Sequence, residues 1–252
     1  MGRCAPPQAP IDEALDRTAA AIWSHHPASK RHALKVLAID IGGTNVKVLA
    51  TGAAAARRFP SGRTLTPDEM VGKVKQLAAD WQYEAVSLGY PGPVANGSIV
   101  GEPKNVASGW VGFDFEKAFG VPVKIMNDAA MQALGSYEGG RMLFVGLGTG
   151  VGATLIVDGV VVPMELAHLS YKKRTYEEYL GVRALKRLGK KKWSRHVASA
   201  IDRMISVLHL DDVVIGGGNV KKLDELPPHC RTGSNDYAFR GGFRMWDTAT
   251  PP

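Results

Sequence analysis

Cysteine is scarce: Cys4 and Cys230 are the only two in 252 residues. Two thiols are too few for a disulfide framework or a four-cysteine zinc site, so a reducing compartment, the cytoplasm, is expected. Long apolar runs are lacking as well. No stretch approaches the ~18 residues of a membrane span. The opening segment MGRCAPPQAPIDEALDRTAAAIW carries charge where an export signal is apolar. Neither export nor a membrane partner is expected. The sequence also lacks an aromatic-rich strand surface and the motifs of nucleic-acid readers. Residues 1–33, punctuated by Pro6, Pro7, Pro10 and Pro27, are too short for a helix-turn-helix domain. No DNA partner is expected.

Glycine, in contrast, is plentiful at 29 residues, above the usual share of about 7%, and predicts many tight turns. The apolar content of 45% marks a globular chain, long enough for one large domain or two lobes with a core each. The net charge of +7 favours phosphates or a polyanion as partner, although solubility alone accounts for the same excess.

Residues 1–33 read as an extension with one short helix over residues 11–23. The pattern then changes. Val36-Leu37-Ala38-Ile39 is a buried-strand run, Asp40-Ile41-Gly42-Gly43-Thr44 is a tight turn, and Val46-Lys47-Val48-Leu49 returns as a strand. A second such hairpin runs from Leu143-Phe144-Val145 through Gly146-Leu147-Gly148-Thr149-Gly150-Val151-Gly152 into Ala153-Thr154-Leu155-Ile156-Val157. Placing Asp40 on Gly146 aligns Gly42 with Gly148, an internal repeat that suggests two similar lobes. Between the hairpins lie a helix over residues 67–81, a strand over 85–88 ending in Gly89-Tyr90-Pro91-Gly92-Pro93, a strand over 121–126, and a helix from Asn127-Asp128 to Gly139-Gly140. A helical stretch over 183–208, broken at Gly189, precedes a strand over 213–215. This alternation predicts an α/β fold. The expected division is the extension 1–33, a small lobe over 34–126 and a large lobe over 127–252, with the C-terminal segment packing back on the small lobe.

Glycine turns present consecutive N–H groups to an anion. Gly42-Gly43-Thr44 and Gly148-Thr149-Gly150 therefore suit phosphate, with hydroxyls from Thr44 and Thr149. Asp40, beside the first turn, suits Mg²⁺ held through water or simply a turn-stabilising role. Asp128, at a strand-to-helix junction, is the candidate base for an attacking hydroxyl, although Asn and Asp are also ordinary helix caps. A sugar needs several groups that donate and accept. Asn105, Asn127, Glu165, His168 and Glu177 are the candidates.

The ordered set Asp40-Ile41-Gly42-Gly43-Thr44, Gly89-Tyr90-Pro91-Gly92-Pro93-Val94, Asn127-Asp128, Gly146 to Gly152, Glu165-Leu166-Ala167-His168 and Gly216-Gly217-Gly218 resembles the ROK sugar kinases. It is most similar to their polyphosphate-type glucokinase branch. The resemblance implies a two-lobed actin/hexokinase-like (ribonuclease H-like) fold with an interlobe cleft. It implies Asp128 as base for the 6-hydroxyl of glucose, with Asn105, Asn127, Glu165, His168 and Glu177 on the sugar. Glu177 is preferred to Glu178 because Gly181 follows it by four positions. The implied phosphate set is Asp40, Gly42, Gly43, Thr44, Lys47, Gly148, Thr149 and Gly150, with Gly216, Gly217 and Gly218 against the adenosine of a nucleotide. Mg²⁺ and either ATP or polyphosphate are the implied cofactor and donor. Many members of the family carry a cysteine-rich zinc site after the glutamate–histidine motif. Here that stretch is Leu169 to Tyr176 without cysteine, so no structural zinc is expected. The basic runs Lys172-Lys173-Arg174 and Arg183 to Arg195 suit polyphosphate, or a solvated helix face. Alternatives are a kinase of another hexose and a non-catalytic sugar-binding regulator, against which the missing DNA-binding domain and the intact Asp128 argue. A homodimer is the default assembly.

Overall fold

The computed structural model describes residues 34–247, apart from 104, 105, 149 and 235. The helix expected over residues 11–23 and the site candidates Asn105 and Thr149 lie outside the described residues.

The chain builds two five-stranded sheets of the same design. The first comprises β1 (Val36–Ile41), β2 (Asn45–Ala50), β3 (Arg57–Pro60), β4 (Ala85–Tyr90) and β7 (Val123–Asn127), in the order β3-β2-β1-β4-β7. The small ribbon of β5 (Val94–Ala95) and β6 (Ser98–Ile99) interrupts the path to β7. The second sheet comprises β8 (Arg141–Leu147), β9 (Val151–Val157), β10 (Val160–Met164), β13 (Asp212–Gly216) and β14 (Cys230–Thr232), in the order β10-β9-β8-β13-β14. A second ribbon, β11 (Ser170–Tyr171) and β12 (Arg174–Thr175), lies between β10 and β13 in sequence. In each sheet the first three strands run antiparallel in a meander, the fourth pairs in parallel with the first, and the fifth in parallel with the fourth.

β1 is buried at every position, as a central strand covered on both faces must be. β2 alternates, burying Val46, Val48 and Ala50. Helix α1 (Pro67–Leu77) starts at a capping box of Thr66 and Glu69, with Pro67 in its first turn. It lays Met70, Val71 and Val74 on the first sheet's core, together with Trp110 and with Phe115 and Phe119 of α2 (Phe115–Phe119). On the second sheet, α4 (Tyr176–Leu180), α5 (Val182–Leu188) and α6 (Lys190–Leu208) cover Leu143, Val145, Val213 and Ile215. Gly189 divides α5 from α6 with a φ of 75°, at the predicted break.

Helices α3 (Asp128–Ser136) and α7 (Tyr237–Arg244) cross each other between the sheets. α7 lies on β1 and β4, while α3 lies chiefly on β8 and β9 and also touches β10 and, on the first sheet, β4 and β7. The C-terminal helix thus returns to the first sheet. The crossing is backbone against backbone. A Cβ on Gly135 would stand 1.8 Å from the Tyr237 carbonyl oxygen, and one on Gly241 would stand 1.8 Å from that of Met131. Next to it, the buried Ser87 hydroxyl of β4 donates to the Gly242 carbonyl at 2.5 Å and accepts from the Trp246 indole N–H at 2.8 Å.

Gly241→Ala has no room for its methyl and is expected to cost roughly 3 kcal/mol or more in urea unfolding. Gly72→Ala, in α1 with open space around it, is expected to stabilise by about 0.5–1 kcal/mol. Equal stability of the two variants would contradict the crossing.

Candidate active site

The two glycine turns close the β1–β2 and β8–β9 hairpins in similar ways. The Gly42 N–H donates to the Asn45 carbonyl at 3.0 Å, and the Gly148 N–H donates to the Gly150 carbonyl at 3.0 Å. These two N–H groups are therefore spent inside the turns. A Cβ on Gly42 would meet the Asn45 carbonyl oxygen at 3.0 Å, so the turn is closely packed there.

Between the second turn and the start of α3 runs a crevice of two adjoining parts, about 390 and 660 Å³. Pro91, Asp128, Glu165 and His168 border both parts. Gly148, Gly150, Glu177 and Gly217 line the smaller part, and Asn127 the larger. Another cavity, of about 740 Å³, lies elsewhere, against Val94, Ile125, Leu134, Val161 and Met245. Its mostly apolar wall lacks the clustered acids and glycine amides of the crevice. Gly42, Gly43, Thr44 and Lys47 do not border the crevice. Their link to it is electrostatic: Lys47 Nζ lies 3.5 Å from Asp40 Oδ2, and the Asp40 charge reaches Asp128.

Asn127 and Asp128 divide the work at the head of α3. The Asn127 Oδ1 accepts from the N–H groups of Ala129 at 3.0 Å and Ala130 at 3.3 Å, so Asn127 is the helix cap. Its Nδ2 donates to the Gly92 carbonyl at 3.1 Å, which pins the Gly89–Pro93 loop. Asp128 is relieved of capping. Its carboxylate accepts the adjacent Ala129 N–H at 2.8 Å and meets its own backbone N–H. Burial, with a contribution from the Asp40 charge, pushes its pKa up to about 7. Asp40 is itself buried within β1, which pushes its pKa up, while Lys47 pulls the other way. Asp128 borders the crevice, while Asp40 lies outside its lining, buried beside Lys47. Carboxylate oxygens are the donors that Mg²⁺ prefers.

The remaining candidates separate. His168 and Glu165 stand at the mouth, 73% and 86% exposed, with Nε2 and Oε2 3.7 Å apart. Glu177 borders the crevice, and a Cβ on Gly150 would come within 3.2 Å of its Oε2. Glu178 is engaged elsewhere. Its carboxylate accepts from the Thr175 N–H at 3.0 Å and from Arg174 at 3.2 Å. Of the last glycine run, Gly217 alone reaches the crevice. A Cβ on Gly216 would stand 2.6 Å from Phe144 Cζ, so that glycine serves packing, and the space around Gly218 is open.

Asn219 was not foreseen. It is 8% exposed, and its Nδ2 donates to the Gly148 carbonyl at 3.0 Å while its N–H donates to the Leu147 carbonyl at 3.0 Å. It clamps the second turn to the end of β13. Gln132, one turn along α3 from Asp128, also borders the crevice. The asparagine after three glycines was the only sequence sign of the clamp.

The model of the ROK family matches residues 36–163. The chain is 26% identical over 216 residues to the polyphosphate glucokinase of Mycobacterium tuberculosis (strain CDC 1551 / Oshkosh), covering 75% of this chain and 80% of that protein. It is 28% identical over 135 residues to a glucokinase of Pyrobaculum calidifontis, covering 50% of this chain and 45% of that one. Among solved structures, the inorganic polyphosphate/ATP-glucomannokinase from Arthrobacter sp. strain KM superposes with a TM-score of 0.69 at 24% identity, over 84% of this chain and 98% of that one. A ROK family glucokinase from Streptomyces griseus in complex with glucose and AMPPNP superposes with a TM-score of 0.64 at 16% identity, over 84% and 98% of the two chains.

The raised pKa of Asp128 has a consequence for stability. Its folded value, about 7, lies above the unfolded value near 3.8. The native state therefore holds the proton more tightly, and stability falls as pH rises from about 4 to 7. Asp128→Asn is expected to raise the melting temperature at pH 8 by several degrees, with the gain vanishing near pH 4. Melting curves across that range check it, and an unchanged difference between pH 4 and 8 would contradict the burial of this carboxylate.

Proposed function

The chain belongs to the ROK family and has the actin/hexokinase-like fold of ROK sugar kinases, and from this we propose that it transfers a phosphoryl group from polyphosphate, ATP or both to the 6-hydroxyl of glucose. The observation that carries the reading is Asp128: a carboxylate freed from capping by Asn127, bordering a crevice beside a glycine turn, with a pKa of about 7.

Phosphoryl transfer through a loose transition state needs positioning and charge neutralisation more than covalent help. The second turn, held by Asn219, offers its amides to the donor, and the first turn with Lys47 faces the same phosphates once the lobes 34–126 and 127–252 close and exclude water. Gly217 then lies on the nucleotide side when ATP is the donor. Mg²⁺, held through water at Asp40 and close to Asp128, would neutralise charge on the transferring group. Glu165, His168 and Glu177, with Asn105, would accept and donate to the sugar hydroxyls. Asn127 has one Nδ2 hydrogen left for them beyond its bond to Gly92. Asp128 takes the proton of the attacking hydroxyl. At a pKa near 7 it is a stronger base than an ordinary carboxylate and still half ionised at neutral pH. Glucose itself is suggested by the glucokinases among the relatives.

Purified protein is expected to form glucose 6-phosphate from glucose with ATP or polyphosphate. Absence of product with both donors would leave a sugar-binding regulator. Asp128→Asn is expected to lower kcat by about 10² to 10⁴ while sugar binding persists. The kcat/KM of the wild type should rise with pH through about 7, because the base must lose its proton to act. Near-normal turnover of Asp128→Asn, or a flat profile from pH 6 to 8, would remove Asp128 as base. Glu165→Gln is expected to raise the sugar KM, and an unchanged KM would place Glu165 outside the pocket.

A further inference from the structure

The positive charge of this protein is concentrated in one stretch of sequence. Residues 172–195 hold ten of the 31 Lys and Arg residues but only two of the 24 Asp and Glu, a net of +8 where the whole chain carries +7. The remainder of the chain is close to neutral. The stretch folds as part of the β11–β12 ribbon, α4, α5 and the start of α6.

Within it a pocket of about 300 Å³ opens between α4 and α5, lined by Arg174, Arg183 and Arg187, by Glu177 and Glu178, and by the small residues Gly181 and Ala184. Glu177 lines this pocket and the crevice alike, so the two spaces adjoin at its side chain. Glu178 is neutralised by Arg174, with Nη1 and Oε1 3.2 Å apart. Arg187 is braced in place: its Nη2 donates to the Glu178 carbonyl at 2.6 Å, and its guanidinium lies 5.9 Å from the Tyr179 ring centroid. Arg183 is exposed and has no carboxylate partner among the described residues. His196 lies within reach of cations of the same stretch. Burial, and then the charges of Lys172, Arg195 and Arg187, hold its pKa below the ordinary histidine value.

We propose that the pocket of Arg174, Arg183 and Arg187 is a subsite for the trailing phosphates of an inorganic polyphosphate chain whose reacting end lies at the second glycine turn. The inference rests on the kinase reading for the position of that reacting end. A repeating anion fits the lining better than a nucleoside does, because the pocket wall carries no aromatic ring. The nearest aromatics are spent on one another. Tyr171 is buried, stacked on Tyr176 at 4.8 Å and set edge-on to Tyr179 at 5.3 Å, so they offer no platform to a base. That also argues against single-stranded nucleic acid, which combines charge with free stacking faces. Glu177 adds one like charge at the junction, outweighed by the cations around it.

The test is calorimetric titration of the whole protein with long-chain polyphosphate over a range of salt, for the wild type, Arg183→Gln and Lys75→Gln. Lys75 is an exposed lysine of α1, on the other lobe. Arg183→Gln is expected to weaken binding about fivefold to tenfold and to reduce the slope of log affinity against log salt by about one. Lys75→Gln, with the same change in net charge, should do neither. With glucose present, the loss in kcat/KM for Arg183→Gln should be several times greater on the long chain than on tripolyphosphate. Unchanged affinity and slope in Arg183→Gln, no binding of long-chain polyphosphate by the wild type, or equally tight binding of single-stranded DNA would each overturn the subsite. Any of these with glucose 6-phosphate still formed from ATP would leave the kinase reading standing. Arg183-dependent polyphosphate binding in a protein that phosphorylates glucose from no donor would keep the site as a binding site and sink the kinase.

Discussion

The contact on which the rest of this molecule depends is the crossing of α3 and α7, where Gly135 and Gly241 let two helix backbones touch. A side chain at either position would drive the helices apart. Separation would have consequences at both ends of the pair. α3 begins with Asn127 and Asp128, so its position sets where the half-buried Asp128 carboxylate sits relative to the second turn. α7 is fixed to β4 through Ser87 and Gly242, so it carries that position across to the first sheet. The two sheets have no shared strand. Their geometry is transmitted by these two helices and by the core of Met131, Leu134, Phe144, Val214 and Ala238 around them.

Chemistry is arranged on that frame by separating tasks that one residue type often combines. Asn127 caps and pins, which leaves the half-buried Asp128 with only its own and the adjacent backbone N–H as local partners. Burial of an acid with so little compensation is costly to the fold. A base with a near-neutral pKa is obtained at that cost, as is common where function sets the environment. Asn219 and Glu177 flank the second turn in a comparable division: one clamps its carbonyl, the other keeps a free carboxylate next to Gly150.

Much of this was legible in the sequence, for identifiable reasons. Both hairpins were readable because glycine turns punctuate runs that obey strand periodicity, and the topological repeat of the two sheets matches the alignment of Gly42 with Gly148. The break at Gly189 was readable because a glycine interrupts an otherwise continuous apolar stripe. The helix after Asn127 ends at Ser136, before the expected Gly139-Gly140, since Tyr137 is already extended. Helix α7 was not readable. Gly241 and Gly242 argue against a helix by propensity, and only the tertiary approach of Met131 and Ala38 explains them. Gly216 to Gly218 looked like one functional loop, yet the three serve packing on Phe144, a left-handed bend beside Leu147 and open surface in turn. Sequence shows that such glycines are needed without showing which neighbour needs them.

The bare crossing has a mechanical implication. Helices that mesh through interleaved side chains resist a change of angle, because each knob must leave its hole. Here the peptide planes themselves touch at Gly135 and Gly241, and the Arg244 guanidinium donates across the contact to the Leu134 and Tyr137 carbonyls at 2.7 Å each, so a methyl added at either glycine would displace α3 as a whole, Asp128 included.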